Sequence, residues 1–396
     1  MPRDLRRERR IAILGAGMLG SSLAILLGRR GVRVTLFDAS EHPMNKAGRW
    51  NEGKIHMGYL YAADRSLNTA RKLIPGGVAF QSIVENLIGC SIEPHLTRGD
   101  DIFLTHANSV VDPDSMFRYF NAVWELVPNL RGDKIRPMLL SRDELAEVSE
   151  NPNIIAGFRI PERSVNTNWL ADRLVDCVIS DRQIELMCNC SVASLTNERA
   201  RWRVFTNCGV FDGFDAVVNA LWEGKSVIDE GVGRSTNQMR SYRYRVAVFM
   251  KVPSASIKNV IITTGPFGDM KNYDDQNIYL SWYPVGLLAD CHQEHAPAPP
   301  KIDRAKENEI CSRMIAKLGD YFPAVINLPK IAEHLVVRGG WIVAHGEGLL
   351  SDPMSTLHRR DEFGISRYNN YYSVDTGKYS VAPWLASQIA NEFAES

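Results

Sequence analysis

Three glycines, at positions 15, 17 and 20, and an aspartate at position 38 are the residues whose spacing speaks most directly of chemistry in this 396-residue chain. Gly15, Gly17 and Gly20 stand in G-x-G-x-x-G order, between an apolar run at 11–14 and a helix-like segment that carries Ala24 and Leu27. Gly15 permits a tight strand-to-helix turn. Gly17 lets a pyrophosphate approach the backbone, and Gly20 with Ala24 lets the helix lie close on a sheet. The helix N-terminus presents free N–H groups and a partial positive charge to the phosphates. Asp38 closes a second apolar run at 32–37, where a carboxylate accepts hydrogen bonds from an adenosine ribose. Together they predict a dinucleotide site on a strand–helix–strand unit.

Other residues suggest chemistry on a bound substrate. His56 is either a hydrogen-bonded structural histidine at a loop-to-helix junction or a ligand contact, a general base or a covalent attachment point for a cofactor. Residues 241–250, SYRYRVAVFM, alternate as a half-buried strand does, which puts Arg243 and Arg245 on one face. Two guanidiniums so placed either clamp a carboxylate or lie on the solvated face of an antiparallel sheet. Tyr283, in the strand-like run 278–285, could line a pocket. The seven cysteines are scattered. Cys188 and Cys190 form C-x-C, but no zinc spacing is present, so no metal is expected and free thiols in a reducing cytoplasm are.

These residues need a frame. A helix is expected at 116–127, another at 167–180 with Asn166 or Thr167 as N-cap, and a third at 301–318. Residues 202–205 and 209–211 suit a hairpin, 214–220 a buried strand and 336–343 a strand leading back toward the cofactor. Residues 371–383 read as strand, glycine turn and helix. The basic run at 6–10 before the apolar stretch 11–28 imitates a signal or membrane segment. The fingerprint glycines inside that stretch fit a nucleotide-binding turn better, and no later stretch is apolar enough to span a bilayer. Lys plus Arg equals Asp plus Glu at 46 each, so no global basic field favours nucleic acid.

The fingerprint together with RWNEGKIHMGYLYAAD at 49–64 resembles the D-amino-acid-oxidase-like superfamily of FAD-dependent oxidoreductases. The G-x-I-H-x-G core at 53–58 is similar to a segment of L-2-hydroxyglutarate dehydrogenases. It is also similar to the K-x-I-H-G-G segment of FAD-dependent glycerol-3-phosphate dehydrogenases. Asn51-Glu52 stands where the former carry Asn-Ser.

The resemblance implies FAD as cofactor, with residues 51–56 passing along it. The residue matching Val192 contacts the adenine through its backbone, and 215–220 match a D-x-V-V-N-A motif ending at the dinucleotide. The glycine usual after that motif is displaced to Gly224, which leaves Trp222 as a lid over the cofactor or a core residue. The last turn, at Gly377, and the helix start that follows face the flavin pyrimidine. There a helix N-terminus stabilises charge at N1 and C2=O, and Lys378 either adds a full positive charge or points to solvent. The expected FAD set is Gly15, Ala16, Gly17, Met18, Leu19, Gly20, Asp38, Ala39, Asn51, Gly53, Lys54, Ile55, His56, Val192, Asn219, Ala220, Gly377, Lys378, Tyr379 and Ser380.

The expected architecture is α/β, with a discontinuous Rossmann-like FAD-binding domain from 1–80, 160–228 and 336–396. A substrate domain with a mixed, largely antiparallel sheet would come from 81–159 and 229–335. The expected reaction is oxidation of a C–N or C–O bond of a small polar substrate (an amino acid, amine or 2-hydroxy acid) by hydride transfer to flavin N5. His56 and Lys378 are the catalytic candidates; Arg243, Arg245 and Tyr283 are the substrate candidates. Oxygen or a quinone would take the electrons. The alternatives are a flavin monooxygenase, whose downstream G-D motif is not found, a nicotinamide-dependent dehydrogenase and a non-catalytic flavin-binding scaffold.

Overall fold

Strands Arg10–Leu14 and Arg33–Phe37 run parallel and are joined by helix Met18–Gly28. Every residue of that helix except Leu26 is buried, because the C-terminal helix Ala382–Glu395 packs along it. The apolar stretch at 11–28 is therefore a strand, a turn and a core helix. Among the described residues no helix is long and apolar enough to cross a membrane. The computed structural model of the chain describes residues 9–127, 136–234 and 238–395. The part of the basic run before Arg9 lies outside them.

A six-stranded sheet gathers sequence-distant pieces. Its order is 364–368, 371–375, 216–219, 10–14, 33–37 and 184–187. All its pairings are parallel except that of the first two strands, which form a hairpin. The alternating segment 192–214 is separate: three antiparallel strands, Val192–Glu198, Arg201–Thr206 and Gly209–Phe214, including the expected hairpin.

A nine-stranded sheet forms the other layer. It is antiparallel except where Val260–Thr263 runs parallel to Asp101–His106. Its longest strand, Arg240–Lys251, pairs along one edge with Leu287–Gln293 and then Asn277–Trp282, and along its whole other edge with His334–Ala344. The last pairing differs from the expected return at 336: residues 336–344 belong to this sheet, and the chain crosses to the six-stranded sheet only after Ala344. The two layers touch where a Cβ on Gly340 would sit 2.8 Å from the Cβ of Ala47.

The expected helices form, the one at 167–180 with the expected bounds and the other two shifted by a few residues. Pro113–Glu125 is capped by Asp112, Thr167–Ser180 by Asn166 and Arg304–Gly319 by Asp303.

Candidate active site

The glycine loop has the geometry that its spacing demands. Gly15 has a φ of +97°, and a Cβ there would press within 2.8 Å of the Ala220 carbonyl oxygen. On Gly20 a Cβ would lie 1.9 Å from the Gly15 carbonyl oxygen, so any side chain would push helix and turn apart. On Gly17 a Cβ would meet nothing within 4 Å. The loop is thus closed on the protein side and open on the other, which is the cradle a pyrophosphate needs.

Asp38 accepts hydrogen bonds from the backbone N–H of Ala16 at 2.8 Å and of Ser40 at 2.7 Å. Its half-exposed carboxylate keeps lone pairs for a ribose. Ala39 beside it is exposed, Met18 and Leu19 are buried, and Val192 is half-buried at the start of its strand.

The segment 51–58 holds itself in shape. The Asn51 side chain donates to the Ala47 carbonyl and accepts from Gly53 N–H, each at 2.8 Å. Gly53, at φ +67°, has no room for a side chain against the Val165 carbonyl. Ile55 N–H donates to the Arg163 carbonyl. His56 N–H donates to the Ser380 hydroxyl at 3.1 Å, which ties this segment to the start of the last helix. Strand Tyr371–Asp375 therefore lies in the same sheet as the strand that leads into the glycine loop, and Ser380, just after the Gly377 turn, meets segment 51–58.

Between this assembly and the nine-stranded sheet lies a cavity of about 170 Å³. Glu52, Lys54 and Tyr61 come from the N-terminal segment. Arg243, Arg245, Asp269 and Tyr283 come from the sheet, Arg360 from the loop after Ala344, and Lys378 from the last turn. Arg243 and Arg245 thus face the cavity rather than bulk solvent. Arg243 donates to the Tyr283 hydroxyl at 2.9 Å and Arg245 to the Ser281 hydroxyl at 2.5 Å, with its guanidinium 4.4 Å from the centre of the Tyr283 ring. Tyr283 opens a short helical turn, Tyr283–Gly286, instead of continuing the strand. Arg360 donates to the Val343 carbonyl at 2.8 Å.

Lys378 also turns to the cavity, with its ammonium 5.5 Å from the centre of the Tyr61 ring. The partners of all four cations are neutral, and no carboxylate lies within 4 Å of any of them among the described residues. Burial, reinforced by Arg360, lowers Lys378 to a pKa of about 7. Burial and the neighbouring Arg243 lower Arg360 to about 10. Burial, with Glu52 nearby, raises the Asp269 carboxyl to about 6.

A buried ion cluster runs back from Lys54 in the cavity wall. The Lys54 ammonium contacts Asp101 and lies 3.5 Å from Glu162, and Lys271 donates to Asp101 at 2.5 Å. Burial disfavours the charged form of Lys54, but Asp101 and Glu162 outweigh it and raise its pKa. Lys271 shares only Asp101, and burial lowers it to about 8. The Lys54 ammonium is therefore engaged within the protein and not free for a cofactor.

Two further expectations change, and Trp222 takes one of its two expected places. The His56 ring is buried and absent from the cavity lining. Its Nδ1 has no hydrogen-bond partner among the described residues, and its Nε2 stands 3.9 Å from Glu52. The ring is therefore not the hydrogen-bonded structural histidine of the sequence expectation. Burial and the charges of Lys378 and Lys54 hold it well below the usual histidine range, hence neutral. The Asn219 amide donates to the Lys225 carbonyl, Asp229 and Tyr371, so only its backbone and that of Ala220 face the glycine loop. Trp222 donates to the Trp341 carbonyl at 2.8 Å and packs against the Tyr242, Trp341 and Val343 cluster, as a core residue does. The buried hydroxyl of Tyr379 has no partner among the described residues.

The sequence reading missed Arg360, Asp269 and Glu52 as cavity residues. Asp269 shares an alternating segment with Lys271 and is paired to Ser281, and Glu52 sits inside the resemblance motif. Arg360 lies in a loop with no periodicity to mark it.

The comparisons agree with this fold. A family described as "FAD dependent oxidoreductase" (DAO) matches residues 10–357. No curated protein matches the chain. Glycine oxidase from Geobacillus kaustophilus superposes with a TM-score of 0.70 at 14% identity, over 98% of this chain and 95% of the other. L-proline dehydrogenase from P. horikoshii gives 0.65 at 15%, over 98% and 94%. L-alpha-glycerophosphate oxidase from Mycoplasma pneumoniae, a structure with FAD bound, gives 0.66 at 12%, over 98% and 95%. At these identities the likeness is one of fold.

Proposed function

This chain belongs to the DAO family of FAD-dependent oxidoreductases, and from that premise we propose that it oxidises a C–N or C–O bond next to an anionic group of a small molecule. FAD is its cofactor and supplies a two-electron acceptor at N5 of the flavin. The glycine loop, Asp38 and the backbone at 51–56 and 377–380 would hold it. The remaining work falls to side chains around the cavity.

Arg243, Arg245 and Arg360 bind the anionic end of the substrate. Tyr283 and Ser281 fix the first two guanidiniums, so little ordering remains for binding to cost. Asp269, with a pKa near the working pH, is the proton acceptor for the substrate hydroxyl or ammonium. Lys378 places positive charge at the turn that the family resemblance sets beside the flavin pyrimidine. The domain division follows the same logic: the six-stranded sheet carries the cofactor and the nine-stranded sheet carries the substrate residues.

The observation that carries this reading is the meeting of Lys378, from the last turn, with Arg243 and Arg245, from the nine-stranded sheet, around one cavity. The test is anaerobic mixing of the purified yellow protein with a panel of 2-amino and 2-hydroxy acids. Bleaching of the flavin band by an anionic member, and not by its uncharged amide or ester, is expected. Bleaching by none would leave a flavin-binding scaffold.

A further inference from the structure

Four cations around one small cavity are more than a single carboxylate requires. One guanidinium satisfies a carboxylate bidentately. Here Arg243, Arg245, Arg360 and Lys378 converge, and their partners are a phenol, a serine hydroxyl, a backbone carbonyl and an aromatic ring. Buried charge without a counter-ion is strongly unfavourable, so such a cluster persists where a ligand completes it. The lining carboxylates, Glu52 and Asp269, offset two of the four. The Lys54–Asp101–Lys271–Glu162 cluster is balanced within itself. The three guanidiniums alone therefore outnumber the two carboxylates, and protonated Lys378 raises the surplus facing the cavity to two positive charges. A cofactor pyrophosphate does not supply the missing charge, because its cradle at Gly17 belongs to the glycine loop, which does not line this cavity.

The placement is also built rather than incidental. Arg243 and Arg245 sit on a strand paired along both edges, and Arg360 is held to the carbonyl of Val343, the residue paired with Tyr242. The Nε atoms of Arg243 and Arg245 are buried with no acceptor among the described residues.

We propose that the substrate of this cavity carries two negative charges, as a second carboxylate or as a phosphate monoester, held between Arg243, Arg245 and Arg360. This rests on the oxidoreductase reading only for the fate of the bound molecule; the charge preference stands on the cavity alone.

The experiment titrates the FAD-loaded enzyme with non-oxidisable anions at constant ionic strength and reads the shift of the flavin absorbance band. Malonate represents the dicarboxylate, inorganic phosphate the phosphate group and acetate the monoanion. At least one dianion should bind about tenfold or more tightly than acetate, as one extra charge-assisted contact provides, and the tighter of the two identifies the source. In Arg360→Gln the ratio should fall several-fold while the flavin spectrum is retained. Equal binding of acetate and both dianions, or no binding by any of the three, overturns the proposal. If Arg360→Gln fails to fold, the wild-type ratio alone decides. If the purified chain holds no FAD, thermal shift with the same three anions tests the charge preference. A dianion preference without oxidation of any amino or hydroxy dicarboxylate or any amine- or hydroxyl-bearing phosphate monoester would sink the oxidation reading and leave this one intact.

Discussion

The glycine loop and the cation-lined cavity are built by opposite means. The loop works by leaving atoms out. Its selectivity comes from backbone N–H groups and from the empty space beside Gly17, and a strand, a turn and a helix in immediate succession are enough to build it. The cavity works by adding side chains, drawn from residues 52, 243, 245, 269, 360 and 378, and only the two-layer fold brings them together. A site made of backbone can be shared by a whole family while the substrate face diverges. A site made of side chains changes with each substitution.

Several measurements would break or sharpen this contrast. The largest effect is expected inside the cavity. Asp269→Asn should lower kcat about 10²–10⁴-fold, the usual weight of a general base, without loss of bound flavin. In the wild type kcat/KM should rise with pH through about 6, because the base acts only when deprotonated. A variant that kept that limb would return the role to another group.

Next comes the buried cluster that supports the wall. Asp101→Asn leaves the Lys54 and Lys271 ammoniums short of their shared counter-charge, and should cost about 3–5 kcal/mol in denaturant unfolding. An unchanged midpoint would mean that one lysine is neutral in the fold.

On the loop, Gly17→Val should cost affinity for FAD by about 10–100-fold, the weight of overpacking against a ligand. The protein itself should melt as before, since nothing lies within 4 Å of the new Cβ. Gly20→Ala, three residues on, should do the reverse and destabilise the chain, because its Cβ meets backbone at 1.9 Å. Equal behaviour of the two would erase the distinction drawn above.

The smallest effect concerns Lys378. Burial and Arg360 hold its pKa near 7, so anion affinity should fall as pH rises through about 7 and the ammonium loses its proton. In Lys378→Met that slope should vanish. A slope that survives would assign the titration elsewhere.

How much of this was readable beforehand follows the same division. The 10–38 unit was legible because local chemistry fixes it: Gly20 answers a contact within a few residues, Gly15 one at the end of the adjacent strand, and Gly17 keeps the space beside the turn open. Arg243 and Arg245 were legible as a pair because strand alternation puts them on one face, but whether that face met solvent or a cavity depends on strand 334–344 and on the loop beyond it. Arg360 and Asp269 became site residues only through tertiary contacts, Arg360 beside Arg243 and Asp269 beside Glu52, each pair more than a hundred residues apart in sequence. His56 was conspicuous in the motif yet lies behind the wall, since the motif marks the path of the backbone and not the direction of the ring. The misplaced return at 336 has a similar cause. An alternating strand looks the same whichever sheet receives it.

Strand Arg240–Lys251 is hydrogen-bonded along both edges for most of its length. The two arginines on it therefore stand on a floor that cannot flex without breaking ladders on each side, whereas Arg360 reaches in from the segment between strands 334–344 and 364–368, which belongs to neither sheet. Adaptation to ligands of different length should then come from one wall alone. Amide exchange would read this directly: protons on the floor should persist far longer than those at 346–362, and ligand should slow only the latter.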